Sequence, residues 1–218
     1  MERGLKKEFL MDGGGIKMEN FPDGWLADDA AKFLGELVAM TNGLTGDFLE
    51  IGSWHGRSSV VIGLEVKKLD GKLYCIDTWN TESWDDIAKF LPKDRKKFIW
   101  EKSDKNPLEK FTTNIKNARL EDTITPLVGA SGSFRPEWMT PLRFIFVDGC
   151  HYYDFVRDDT KWREFLIMGG IIAFHDYRSK RWKGVKVAID EEMNTDNRFE
   201  EVGIVQSIKA FRRIGKER

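Results

Sequence analysis

The chain has 218 residues, of which 41% are hydrophobic and 33% charged. That length favours one domain whose core buries most of its apolar surface without disulfide staples. With 35 basic against 36 acidic residues the net charge is −1, so nothing global points to nucleic acid or a membrane as partner.

Residues 1–24 carry Gly13-Gly14-Gly15 among scattered charges and read as a loosely ordered arm. There is no signal-peptide pattern and no apolar run long enough to span a bilayer, so a cytoplasmic protein is expected. From Trp25 to Met40, the residues Ala30, Phe33, Leu34, Leu37 and Val38 recur at helical spacing, and Asn42-Gly43 closes the helix. The arm and this helix could dock on a second copy in a homo-oligomer.

An alternation of strands and helices follows. Strand one is Phe48–Ile51, and a helix from Arg57 carries Val60, Val61 and Leu64. Strand two is Lys72–Asp77. Residues 80–105 are polar, aromatic and basic, with Trp84 and Trp100 among lysines. That is long for a plain connection, so a lid is expected there. A helix from Pro107 to Arg119 precedes strand three, Ile124–Val128. Strand four is Arg143–Val147. A helix over Tyr153–Met168 would put Phe155, Trp162, Phe165 and Leu166 on one side. Gly169-Gly170 starts strand five, Ile171–Phe174; a short helix covers Val185–Asn194, and Phe199–Ile208 and Ala210–Ile214 read as two final strands.

Near-continuous apolar strands between amphipathic helices imply an α/β fold: a doubly wound, mostly parallel sheet with helices on both faces. Residues 25–218 form the single domain. Cys75 and Cys150 sit in apolar runs and read as reduced thiols rather than a disulfide pair.

The most informative stretch is FLEIGSWHGRSS, Phe48–Ser59. A strand, a glycine turn and a helix start in succession bring backbone N–H groups to the carboxyl edge of a parallel sheet, where nucleotide cofactors dock. Gly52 and Gly56 shape the turn, and Glu50 adds an acceptor. Trp54 occupies the position of the middle glycine that lets a pyrophosphate approach, so the loop suits a cofactor without one. Asp77 ends strand two, where an acid can accept hydrogen bonds from both ribose hydroxyls of an adenosine. Gly129-Ala130-Ser131 follows strand three; small residues there would let an adenine lie flat, with Ser131 as a polar contact.

All three histidines, His55, His151 and His175, fall at carboxyl ends of expected strands. Asp148 lies close before His151, and Asp176 adjoins His175. A carboxylate–imidazole cluster of Asp148, His151, His175 and Asp176 could deprotonate a hydroxyl near neutral pH or hold a divalent cation. Arg178, Lys180, Arg181 and Lys183, beside Trp182, border the same mouth and could attract an acidic substrate.

Glu50–Ser58, Cys75–Trp79, Val147–Tyr152 and Phe174–Tyr177, taken together, resemble class I S-adenosylmethionine-dependent methyltransferases. The branch they are most similar to holds macrocin-type O-methyltransferases and cephalosporin-hydroxylase-like proteins. The resemblance implies a seven-stranded Rossmann-like sheet with its last strand antiparallel, and S-adenosyl-L-methionine over strands one and two. It implies that Glu50, Gly52 and Gly56 line the methionine end and that Asp77 holds the ribose; Ser53, Thr78, Ser131 and Asp148 are further candidate cofactor contacts. It also implies a metal position at Asp148, His175 and Asp176. His175 replaces an acid common in metal-using relatives, which makes a softer ion than magnesium, or histidine as base without a metal, the alternatives. The expected reaction is O-methylation of a small molecule, with Asp148, His151 and His175 as catalytic candidates. Two other readings share the fold: a nicotinamide-dependent oxidoreductase, and a cofactor-binding protein that is non-catalytic or hydroxylase-associated.

Overall fold

The computed structural model describes residues 21–79 and 106–215. The arm up to residue 20 and the expected lid, with Trp84 and Trp100, lie outside the described residues. One sheet organises the rest. Its strands are β1 (Asp47–Ile51), β2 (Leu73–Asp77), β3 (Ile124–Val128), β4 (Leu142–Val147), β5 (Leu166–Phe174), β6 (Phe199–Val205) and β7 (Ile208–Arg213). They lie in the order β3-β2-β1-β4-β5-β7-β6. The pairs from β3 through β5 are parallel, and β7 runs antiparallel to both β5 and β6. This is the seven-stranded, mostly parallel, doubly wound sheet expected.

Helices cover both faces. On one face α1 (Asp28–Ala39), α2 (Arg57–Lys68) and α3 (Pro107–Asn117) bury Leu34, Leu37, Val60, Ile62, Phe111 and Ile115 against Phe48, Cys75, Phe144 and Phe146. On the other, α4 (Tyr153–Asp159) and α5 (Lys183–Glu192) bury Val156, Val185 and Ile189 against Leu49, Ile145, Ile172 and Phe174. Strand alternation explains the split, since successive side chains point to opposite faces and apolar residues on both make a sheet that needs two covers. Phe48 and Glu50 therefore face α2, while Leu49 and Ile51 face α4.

Several expected elements differ in extent. The first helix begins at Asp28 rather than Trp25, because Ala27 is extended (φ −74°, ψ 160°) and Asp28 and Asp29 supply the acidic first turn that favours a helix start. Trp25 lies before the helix and stacks on Trp54, ring centroids 4.8 Å apart. The helix expected over residues 153–168 stops at Asp159 and gives way to a 3-10 segment, Thr160–Phe165, and then directly to β5. Phe155 is exposed, whereas Trp162 is fully buried, so the two do not share a stripe. Gly169, at φ +79°, sits in a bulge of β5 opposite the Leu142–Phe144 register shift. The glycines are absorbed inside the strand rather than starting it.

Candidate functional site

The carboxyl ends of β1, β2, β4 and β5 form one edge, and the site is built along it. After β1 the chain makes the glycine turn. Gly52 has φ +88° and Gly56 has φ +87°; Trp54 adopts φ 43°. Two backbone contacts at Gly52 leave no room for a side chain. A Cβ there would lie 2.5 Å from the Asp148 carbonyl carbon and 2.6 Å from Gly149 Cα. Gly56 is the N-cap of α2, whose first turn holds no acid.

Asp77 closes this turn from β2. Its Oδ2 accepts from the Trp54 N–H and its Oδ1 from the Trp79 N–H, both at 2.8 Å. Burial raises its pKa against the pull of these bonds and of the Ser53 and Thr78 backbone N–H groups. Trp79 Nε1 donates to the Trp54 carbonyl at 2.7 Å, which ties the two turns together. An acid held by backbone donors in this way keeps a fixed direction and retains lone pairs for a ligand's hydroxyls.

Glu50 corrects an expectation. Its carboxyl does not open onto a hollow shared with Asp77; the residue is 0% exposed. Oε2 accepts from Ser53 Oγ at 2.7 Å and from Ser59 Oγ, and Cys75 Sγ lies 3.3 Å away. Burial raises the Glu50 pKa. The physical reason is the alternation of β1, which directs position 50 under the start of α2. Glu50 thus braces the turn from below, through Ser53 on the turn and Ser59 on the helix.

The second half of the edge is the acid–imidazole cluster, and the four expected residues do meet. Asp148 follows β4 and its N–H bonds the Ile51 carbonyl at 2.8 Å; the His175 N–H bonds the Val147 carbonyl at 3.0 Å. His175 Nδ1 is 3.1 Å from Asp148 Oδ1 and 3.7 Å from Asp176 Oδ2. His151 Nε2 is 2.7 Å from Asp176 Oδ2 and 3.7 Å from Asp148 Oδ1. Burial alone would lower both imidazole pKa values. The two carboxylates outweigh it and raise His151 to about 9 and His175 to about 10. Burial would raise Asp148 and Asp176, and the imidazoles hold both below the usual carboxylate range instead. The carboxylates thus favour the protonated form of both imidazoles, and the imidazoles favour the ionised form of both acids.

The donor set for a metal differs from the expected one. Asp148, His151 and Asp176 offer ligand atoms within 4.8 Å of one another. His175 does not belong to this group: Nδ1 is turned to Asp148 and Nε2 lies 2.9 Å from Ser207 Oγ. Ser207, in the turn between β6 and β7, is a site residue that no motif signalled, because only the topology brings that turn beside β5.

Other expected residues have local roles. His55 is buried and stacked on Trp54 at 3.5 Å, apart from the other two histidines. Ser131 donates to Asp159 Oδ1 at the end of α4. Burial lifts the Asp159 carboxyl to about 6; a mid-helix acid beside Asp158 carried no sign of this. Trp182 lies flat against His151, centroids 5.1 Å apart and planes 14° apart. Both cysteines are free thiols, Cys75 buried and Cys150 partly so. No helix among the described residues is long and apolar enough to cross a membrane.

Comparison with known proteins bears on the family and the fold. Residues 49–177 match a family model described as a methyltransferase domain. Among solved structures, the chain is similar to the O-methyltransferase NovP at 18% identity and TM-score 0.67, covering 87% of this chain and 81% of that one. It is similar to an O-methyltransferase from Bacillus cereus in complex with SAH, at 17% identity and TM-score 0.61, over 89% and 86% of the two chains. It is also similar to the O-methyltransferase TomG from Streptomyces achromogenes, solved with SAM, at 15% identity and TM-score 0.62, over 88% and 82%. At these identities the structural likeness establishes the shared fold.

Proposed function

Since the chain belongs to the family of methyltransferase domains, we propose that it transfers a methyl group from S-adenosyl-L-methionine to an oxygen of a small molecule. One observation carries this reading: the glycine turn after β1 and the acid–imidazole cluster after β4 are in backbone contact at Gly52 and Asp148. A cofactor seated on the turn would present its reactive end to the cluster. The family membership favours this over the oxidoreductase and non-catalytic readings.

The residues have separable tasks. Gly52, Ser53 and Gly56 would offer backbone to the methionine end, with Glu50 fixing the turn from beneath. Asp77, flanked by Thr78, would accept from the ribose hydroxyls, and the Ser131 segment after β3 would border the adenine. S-adenosyl-L-methionine, when bound, supplies a methyl group already activated for transfer. The protein must then align the acceptor and manage its proton. An acceptor hydroxyl would donate to the Asp148–Asp176 carboxylates, and the His151 and His175 imidazolium ions would stabilise the negative charge that develops on oxygen.

Asp148, His151 and Asp176 also fit a divalent ion. Two carboxylate oxygens and one imidazole nitrogen form a mixed set that suits manganese or zinc better than magnesium. Such an ion would acidify the acceptor hydroxyl. A cytoplasmic location and a small-molecule acceptor complete the reading.

Calorimetric titration with S-adenosylhomocysteine tests it. The wild type should bind at one site per chain, and Asp77→Ala should bind at least tenfold more weakly. No binding by the wild type, or unchanged affinity in the variant, would defeat the cofactor assignment.

A further inference from the structure

We infer that the acceptor carries a phosphate group, held at the rim of the cluster by residues 178–183, the end of the loop after β5 and the first residue of α5. The inference rests on the methyl-transfer reading above and adds the class of substrate. It starts from how firmly this loop is docked. Trp182 lies flat on His151 and meets Tyr152 edge-on, centroids 6.0 Å apart. Gly184 packs backbone to backbone, since a Cβ there would come 2.9 Å from the Tyr153 N atom. The Ser179 N–H bonds the Asp176 carbonyl at 3.0 Å, and the Trp182 N–H bonds Ser179 Oγ at 3.2 Å. The loop is thus fixed to the cluster by its own backbone and by one indole, and its basic side chains are carried at a set place.

Charge is the second observation. Arg178, Lys180 and Lys183 are exposed, and none of the three forms an ion pair among the described residues. Arg181 stacks its guanidinium on Trp182 at 4.6 Å. Four of the acids nearby are already engaged, while Asp154 in the first turn of α4 is exposed. Asp176 holds His151, Asp190 accepts from Tyr177 and Lys186, Glu191 accepts from Tyr153, and Glu192 pairs with Arg157. The first turn of α5 has no acid and no side-chain cap. What remains is local positive charge beside the point of reaction in a chain of net charge −1.

A group that carries two negative charges on several oxygens matches this rim better than a single carboxylate does. Coulomb attraction grows with charge, and arginine and lysine both bind phosphate oxygens well. The ordinary alternative is a set of solvated lysines with no ligand, and the experiment must separate the two.

The probe is pyrophosphate, titrated by calorimetry into the chain saturated with S-adenosylhomocysteine and into the chain alone. Wild type should bind it saturably. Lys180→Glu combined with Lys183→Glu should weaken it at least tenfold, the paired Gln substitutions less, and neither should change S-adenosylhomocysteine affinity. Lys116→Glu, on α3 across the sheet, should change nothing. Acetate at equal concentration should not compete. The inference is overturned if wild type shows no saturable binding, if Lys116→Glu costs as much as the loop variants, or if acetate binds equally well. Failure of S-adenosylhomocysteine to bind would instead strike the methyl-transfer reading, and the titration of the chain alone still reads the rim.

Discussion

Gly52 and Asp148 touch through their backbones: no atom larger than hydrogen fits on the Gly52 α-carbon facing the Asp148 carbonyl. This contact joins the two halves of the site, and both partners are backbone, so neither can swing aside. Gly52→Ala adds a methyl group into that contact at φ +88°. The expected cost is about 2–4 kcal/mol of stability together with loss of S-adenosylhomocysteine binding. Gly149→Ala is the control: its Cβ would meet Ile51 Cγ2 at 3.4 Å and should cost about 1 kcal/mol or less. Thermal denaturation of the two variants side by side checks the difference.

Asp77→Asn separates charge from shape. Asparagine keeps one acceptor for the Trp54 and Trp79 N–H groups but loses the second oxygen and the charge. The fold should survive, and S-adenosylhomocysteine affinity should fall by about 10- to 100-fold, the range for removing a charged hydrogen-bond acceptor. Near-wild-type affinity would show that the ribose is held elsewhere.

The cluster gives stability a pH signature. The folded pKa of His151, about 9, lies above the ordinary value of 6.5. Its contribution is therefore complete below pH 6.5 and is lost as pH rises through 9. His175 acts in the same direction, through about 10. Asp176 acts at the other end, losing its contribution only as pH falls below the usual carboxylate range. Wild type should thus lose about 2 kcal/mol more than His151→Gln between pH 6.5 and 10. Divalent-ion affinity should rise across the same interval, because His151 must shed a proton to bind. Denaturant titrations at several pH values measure the first effect and calorimetry the second.

Glu50 is expected to act through the turn. Glu50→Ala strands the Ser53 and Ser59 hydroxyls and should cost about 2–3 kcal/mol. Glu50→Gln keeps an acceptor oxygen between them, so it should cost clearly less while cofactor affinity stays within a few-fold of wild type. A large loss of affinity in the Gln variant at unchanged stability would mean that the charge itself reaches the cofactor.

Trp182 positions His151 by stacking. Trp182→Ala should lower kcat by about tenfold through misalignment and shift the pH–rate profile, and Trp182→Phe should restore most of both. A change in KM alone, with the profile fixed, would leave the indole only a substrate contact.

Much of this architecture was legible in the sequence because each link was local. The alternation of apolar strands and amphipathic stripes marked the sheet, and positions 148, 151, 175 and 176 at strand ends marked the cluster. What escaped depended on a third dimension. The burial of Glu50 follows from strand alternation combined with the seat of α2 above it. The exchange of His175 for His151 in the metal-competent set follows from Ser207, far along the chain, occupying the His175 Nε2 side. Gly169-Gly170 looked like a strand start because a bulge cannot be told from a boundary by composition alone.

Ser207 and the Tyr177 N–H, bonded to the Ser207 carbonyl at 3.0 Å, tie the reaction edge to the C-terminal hairpin. During synthesis the hairpin emerges after the other described strands. A nascent chain can stack most of its sheet while still tethered, yet His175 lacks its serine until that hairpin emerges. Competence for chemistry therefore waits on the hairpin, and a product cut short before Ser207 would be a largely formed but inert body.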